Sequence, residues 1–311
     1  MDSNDLDGTL LDLLRWLGSQ DYRFVPPTPE THKRVIARRG NDRAAGLRGA
    51  FGWSLPFDAA LLPAPLCEAL LRTGALDDRG GLLASRFRVA SLDGQLFLHS
   101  AFPTLSEDAV FLGPDSYRFA RFLLQELPAP GAVRRLVDIG AGAGVGAFTA
   151  ARRLPNSRIT ITDINPSALR LARINARYAG LEVEALEGAG LAPVEGAIDL
   201  VLANPPFMVD PDSRAYRDGG GPLGGGLSLD WASSALDRLA PGGTLLLYTG
   251  SAIVDGEDAL EASLRRLSES AGFTMRYGEI DPDIFGEELD AAPYKNVERI
   301  AAVGAVLTRA P

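Results

Sequence analysis

Apolar residues along this chain follow two regimes. Beyond about residue 117, short runs of consecutive apolar positions alternate with stretches where apolar residues recur every three or four positions. These are the periods of a buried strand and of an amphipathic helix. RLVDIG (135–140), RITITD (158–163), LEVEAL (181–186), IDLVLAN (198–204) and TLLLYTG (244–250) read as strands. YRFARFLLQEL (117–127), GAFTAARRL (146–154), a helix from the Asn165-Pro166 cap to Gly180, LDWASSALDRLA (229–240) and a segment over 257–271 read as helices. Such alternation predicts right-handed crossovers and a parallel sheet with helices on both faces. Two final strands, near 273–279 and 298–308, have no clear helix between them and predict an antiparallel end to that sheet.

The first third is different. Thr28-Pro29 makes an N-cap and first helical position, Gly40 a stop, and APLCEALLRTG (64–74) a second helix. In FRVASLDGQLFLHS (87–100), Asp93-Gly94 stands between two alternating runs, the pattern of a β-hairpin. Helices followed by a hairpin suggest a small winged-helix-like unit. The expected division is a helical, hairpin-bearing recognition domain over 1–110 and an α/β domain over 111–311.

Composition narrows the class. A chain of 311 residues with 46% hydrophobic and 23% charged residues can bury a substantial core. No apolar run approaches the roughly 20 residues that span a bilayer, so no membrane partner is expected. The start MDSNDLDGTL is acidic and lacks the pattern of a signal peptide. The one cysteine, Cys67, excludes an internal disulfide framework and suits a reducing compartment, so a cytoplasmic location is expected. With only His32 and His99 besides, no metal centre is expected. Net charge is −9 and neither half is basic, which argues against broad binding to phosphate backbones. THKRVIARRGNDRAAGLR (31–48) is the exception, with six Lys or Arg against one Asp. It reads as a solvated helix face or as a local basic patch.

Two motifs carry chemistry. VDIGAGAGVG (137–146) follows a strand and opens a helix, with glycines at 140, 142 and 144 that let the backbone turn sharply and a ligand lie against it. The strict dinucleotide spacing fails from Gly140, because the third position falls on Val145, although Gly142, Gly144 and Ala147 match its looser form. Asp138 puts a carboxylate at the strand's end, which would repel a pyrophosphate and could accept from an ammonium. Asp163 ends the next strand, where a carboxylate can take both ribose hydroxyls. S-adenosyl-L-methionine has a ribose and an ammonium and no phosphate, and it fits both.

DIGAGAG followed by ITITDIN resembles the cofactor motifs of class I S-adenosylmethionine-dependent methyltransferases. The resemblance implies a Rossmann-like, seven-stranded, mostly parallel sheet with an antiparallel C-terminal hairpin. It implies that Gly140, Ala141 and Gly142 approach the methionine part of the cofactor, that Asp163 holds the ribose and that Ile164 packs on the adenine. Many members carry an Asp after the third strand. This chain has EGAG (187–190), with Glu187 displaced from that place.

The second motif is Asn204-Pro205-Pro206-Phe207, immediately after a strand. The prolines stiffen the turn and remove two N–H donors, leaving carbonyls free to accept. The Asn204 side-chain oxygen and the Pro205 carbonyl can receive both hydrogens of a planar NH2, and Phe207 offers a face for stacking. This resembles the N-P-P-aromatic signature of amino-group methyltransferases, with Phe for the commoner Tyr. Among these, the release-factor glutamine methyltransferases are similar in having a helical N-terminal domain and a hairpin. FLGPDSYRF (111–119) stands in the place of their Pro-containing segment, so that Phe111 would line the cofactor pocket. RDGGGPLGGGLSLD (217–230) echoes their glycine-rich stretch, as a substrate-covering loop or a plain linker.

The expected activity is therefore methylation of an amide or amino nitrogen. A glutamine side chain of a protein substrate, such as a translation factor, stands first. A base amine of ribosomal RNA is the alternative, with a small-molecule methyltransferase or a non-catalytic binding subunit behind it.

Overall fold

The computed structural model describes residues 3–104, 106–210 and 217–311. The chain packs as two compact units. One comprises Met1–Tyr117 with Gly142–Val145 and Ser167–Glu182, and the other comprises Arg118–Ala141, Gly146–Pro166 and Val183–Pro311. The first unit thus takes in two segments from later in the chain.

In the first unit, α1 (Ser3–Ser19), α2 (Pro29–Ile36), α3 (Leu47–Phe51) and α4 (Ala64–Arg72) precede a hairpin of β1 (Leu76–Asp78) and β2 (Leu83–Ser85). A second hairpin follows, β3 (Phe87–Leu92) with β4 (Gln95–Ser100). Asp93 and Gly94 both adopt positive φ, as the tight turn requires. The earlier hairpin carried no sequence signal, because its strands are only three residues long. Thr28 caps α2, accepting from Thr31 N. Leu10, Leu13, Leu14 and Leu17 of α1 are buried on one side, each worth about 1.5–3 kcal/mol of transfer free energy. Asn175, from the later segment, accepts from Leu98 N and donates to Leu98 O and Ala143 O, satisfying the edge of β4.

Over the rest of the chain, α5 (Pro114–Glu126) leads to β5 (Arg135–Ile139), α6 (Val145–Ala151), β6 (Arg158–Asp163), α7 (Pro166–Ala179), β7 (Glu184–Glu187) and β8 (Ile198–Ala203). Then come α8 (Gly226–Arg238), β9 (Leu239–Val254), β10 (Glu257–Asp258), α9 (Ala259–Ala271), β11 (Phe273–Asp281) and β12 (Arg299–Arg309). The main sheet runs in the order β11-β12-β9-β8-β5-β6-β7, with the short β10 paired to the end of β9. β7, β6, β5, β8 and β9 are parallel, and β12 and β11 are antiparallel. The expected seven-stranded, mostly parallel sheet with an antiparallel C-terminal hairpin is what forms.

One face packs Val137, Ile139, Val201, Ala203, Leu245 and Leu247 with Ala232, Leu236, Leu260 and Leu264 of α8 and α9. On α5, Phe119 meets Tyr248 at 6.0 Å, and the Phe122 ring lies where a Cβ on Gly304 would be, so β12 needs glycine there. Pro241-Gly242-Gly243 forms an irregular start to β9, where the register against β8 shifts.

Candidate active site

Ligands of open parallel sheets bind beyond the carboxyl ends of the strands, and the second unit gathers its motif residues there. Gly140 follows β5 with φ +61°, and a Cβ on it would lie 2.4 Å from the ring of Trp231 on α8. The next residue, Ala141, donates its N–H to Thr162 O at 3.0 Å. Gly142 and Gly144, which fall in the first unit, also hold positive φ.

Asp138 is turned inward at the end of β5. It is 2% exposed, and its Oδ2 accepts the N–H of Ala147 at 2.7 Å. A carboxylate suits the first turn of a helix, whose N–H groups lack partners. A Cβ at position 146 would stand 2.7 Å from the same oxygen and from the Phe119 ring, so Gly146 makes room for this contact. Burial first, and then the charge of Asp163, raise the Asp138 carboxyl to about 7 against the lowering effect of the Ala147 N–H. A carboxyl so enclosed supports the loop from beneath and offers little surface to an ammonium.

At the end of β6, Asp163 is half-buried and accepts from Asn165 N at 2.9 Å. Its register partner on β7 is Glu187. Glu187 is therefore not remote from the site: parallel pairing sets it beside Asp163 at the same edge. Ile164 is 55% exposed, an uncovered apolar side chain next to that carboxylate. Trp231, which nothing in the local pattern of α8 marked, also stands 3.6 Å from the place of a Cβ on Gly190, so its ring reaches both glycine turns.

Across β5, the register Ile139↔Ala203 sets Gly140 and Asn204 at adjacent strand ends. Asn204 is half-buried, and among the described residues no group hydrogen-bonds its side-chain amide or the Pro205 carbonyl. Phe207 is packed into the second unit. It is only 8% exposed, and its ring fills the space beside Gly250, with Phe285 at 5.8 Å and 64°. A ring so placed anchors the turn rather than presenting an open face. Phe285, half-buried, takes φ +55° and ψ 40°, a costly conformation for an aromatic residue. Its ring meets that anchor edge-on, and local sequence gave no sign of it.

The glycine-rich stretch is bonded to the second motif. Met208 N donates to Arg217 O and Gly219 N to Met208 O, while side chains on Gly219 or Gly224 would collide with the backbone of Pro206 or Phe207. Tyr294 accepts from Val209 N at 2.8 Å, and Arg217 pairs with Asp210 and Glu288. A plain linker would not be held this way. Phe111 belongs to the first unit, where its ring lies over Gly113.

The bare glycine turn, the carboxylate at the end of β6 and the exposed Ile164 suit a ribose-bearing, phosphate-free cofactor such as S-adenosyl-L-methionine. Comparison with known proteins agrees. The family model described as "Methyltransferase small domain" matches residues 104–272, and the chain belongs to this family.

Its relatives include the release factor glutamine methyltransferase of Deinococcus radiodurans, 34% identical over 169 residues, which are 50% of this chain and 55% of that protein. The Moorella thermoacetica protein of the same name is 33% identical over 52% of this chain and 59% of its own length. Ribosomal RNA small subunit methyltransferase C of Pseudomonas putida is 36% identical over 40% of this chain and 36% of its own. The chain spans about half the length of the first two curated relatives. Among solved structures, wild-type Trm5b from Pyrococcus abyssi aligns with a TM-score of 0.51 at 14% identity, over 76% of this chain and 62% of that one, a likeness of fold. Among the described residues no helix is long and apolar enough to cross a membrane.

Proposed function

We propose that this protein is an S-adenosylmethionine-dependent N-methyltransferase acting on a planar nitrogen, with the side-chain amide of a protein glutamine as its acceptor. One observation carries the reading: a half-buried Asn204 amide and a Pro205 carbonyl, both without partners among the described residues, stand at the strand end beside Gly140. Two acceptors on a stiff turn match the two hydrogens of an NH2 group.

In this reading Asp163 holds the ribose, Ile164 covers the adenine, and Gly140, Ala141 and Gly142 line the methionine part. Asp138 keeps the loop in place, and Phe207 anchors the turn. Phe111 remains a proposed wall of the cofactor pocket. Bound there, the cofactor would supply an electrophilic methyl group on a sulfonium, with a neutral thioether as its leaving group. Asn204 and Pro205 contribute alignment, which can itself be worth several kcal/mol. Their oxygens also draw on the N–H bonds and stabilise positive charge growing on nitrogen. The nitrogen's proton leaves to water, so no general base is required.

The relatives named for release factors support a protein acceptor, and those named for ribosomal RNA support a base amine as the second reading. Incubation of the full chain with methyl-radiolabelled cofactor and a cell lysate, followed by protease and by ribonuclease, tests this. Label released by protease and recovered as methylglutamine is expected. Label confined to RNA would replace the acceptor, and label in neither with intact cofactor binding would overturn the activity.

A further inference from the structure

Residues 20–55 hold seven Lys or Arg against three Asp or Glu, within a chain of net charge −9. They fold, inside the first unit, around a cleft of about 690 Å³. Arg23, Arg43 and Arg48 line it together with Asn41 and Trp53. All three arginines are exposed. Arg34 is paired with Glu30 at 3.2 Å, whereas Arg23, Lys33, Arg38, Arg39, Arg43 and Arg48 make no ion pair among the described residues. Among the described residues, Asp21 is the one carboxylate on the cleft wall.

A solvated helix face does not account for this arrangement. α2 ends at Ile36, and Arg43 and Arg48 lie beyond it, on the loop and short helix that curve around the hollow. Like charges brought to one concave wall repel, and the field they make is strongest inside the hollow. The rest of the protein is acidic, so the cleft is a local inversion of sign. Trp53 is held in place by Phe24 at 5.2 Å and His32 at 5.1 Å, and it adds an aromatic surface to the same wall. Asn41 uses its Nδ2 on Val35 O, which leaves its side-chain oxygen as an acceptor.

We infer that this cleft binds the phosphate backbone of RNA. Guanidinium forks match phosphate oxygens in pairs. An aromatic side chain between cations is the arrangement on which an unstacked base can lie. An acidic peptide would satisfy the arginines and leave Trp53 and the Asn41 oxygen without a role. The inference stands on the first unit alone and holds whichever nitrogen receives the methyl group. A protein substrate met on a ribonucleoprotein and an RNA substrate would both be served by it.

The test is equilibrium binding of the full chain to a fluorescein-labelled RNA stem-loop of about 20 nucleotides, across about 50–200 mM salt. Affinity should fall with salt along a line whose slope corresponds to at least about three phosphates. Arg43→Glu with Arg48→Glu should weaken binding at least about tenfold and remove about two phosphates' worth of slope. Arg265→Glu with Arg266→Glu, the same charge change on α9 of the other unit, should leave both unchanged. Circular dichroism and melting report folding, and Arg43→Gln with Arg48→Gln replaces the reversal if that unfolds the chain. Three results would overturn the inference: salt-independent or absent binding, equal loss in both double variants, or displacement of the RNA by polyglutamate at equal charge.

Discussion

The ring of Phe207 occupies the space that a side chain on Gly250 would need, its Cδ2 lying 2.3 Å from the position of that Cβ. The two residues are on different elements, the turn after β8 and the body of β9, and their contact seats the Asn204-Pro205 corner. Gly250→Ala should cost about 1–3 kcal/mol, the range for overpacking a filled site, read as a lower urea midpoint with an unchanged slope. Adding Phe207→Leu should restore part of the stability, since the smaller side chain vacates the slot. Full additivity of the two changes would mean that the contact does not carry the effect.

Asn204→Ala should lower turnover by about two orders of magnitude, the scale of losing one preorganised polar group at a reacting centre. Cofactor affinity by calorimetry should be nearly unchanged. Equal loss of both would move Asn204 from the acceptor to the cofactor.

Asp163→Ala should do the reverse. The carboxylate proposed to hold the ribose is removed, so cofactor Kd should rise at least about tenfold, more than 1.4 kcal/mol. Turnover at saturating cofactor should hold within a few fold, as initial rates over a cofactor titration will report.

His99 is fully buried, and both of its ring nitrogens lack hydrogen-bond partners. Burial first, then the charges of Arg88 and His32, hold its pKa well below the usual imidazole value. Burial and Arg88 lower that of His32 to about 4. Between the unfolded value near 6.5 and these folded values, the unfolded chain binds more protons, so stability must rise with pH and be lost as pH falls from about 6.5 toward 4. Asp138, raised to about 7, acts with the opposite sign in the same window. His99→Phe isolates the effect: it should remove up to about 1.4 kcal/mol per pH unit of slope from urea unfolding measured across that window. An unchanged slope would show that His99 titrates normally in the fold.

The parallel sheet was legible because buried strands leave apolar runs and helices leave a periodicity of three to four. DIGAGAG and the Asn-Pro-Pro turn were legible because they concentrate residues with unusual backbone freedom or stiffness at a strand end. The β1–β2 hairpin escaped notice because three-residue strands carry too few positions to set a period. The inward turn of Asp138 depends on the first turn of α6 and on the missing side chain at Gly146, and a strand reading does not include either.

The chain's own order of residues therefore determined the sheet, its carboxyl edge, and which turns meet there. Folding alone decided that Glu187 stands beside Asp163, that Trp231 covers Gly140, that Phe207 is buried against Gly250, and that scattered arginines share one hollow. The first set follows from interactions within a few residues. The second comes from pairings between residues tens of positions apart, whose register and packing no local pattern encodes.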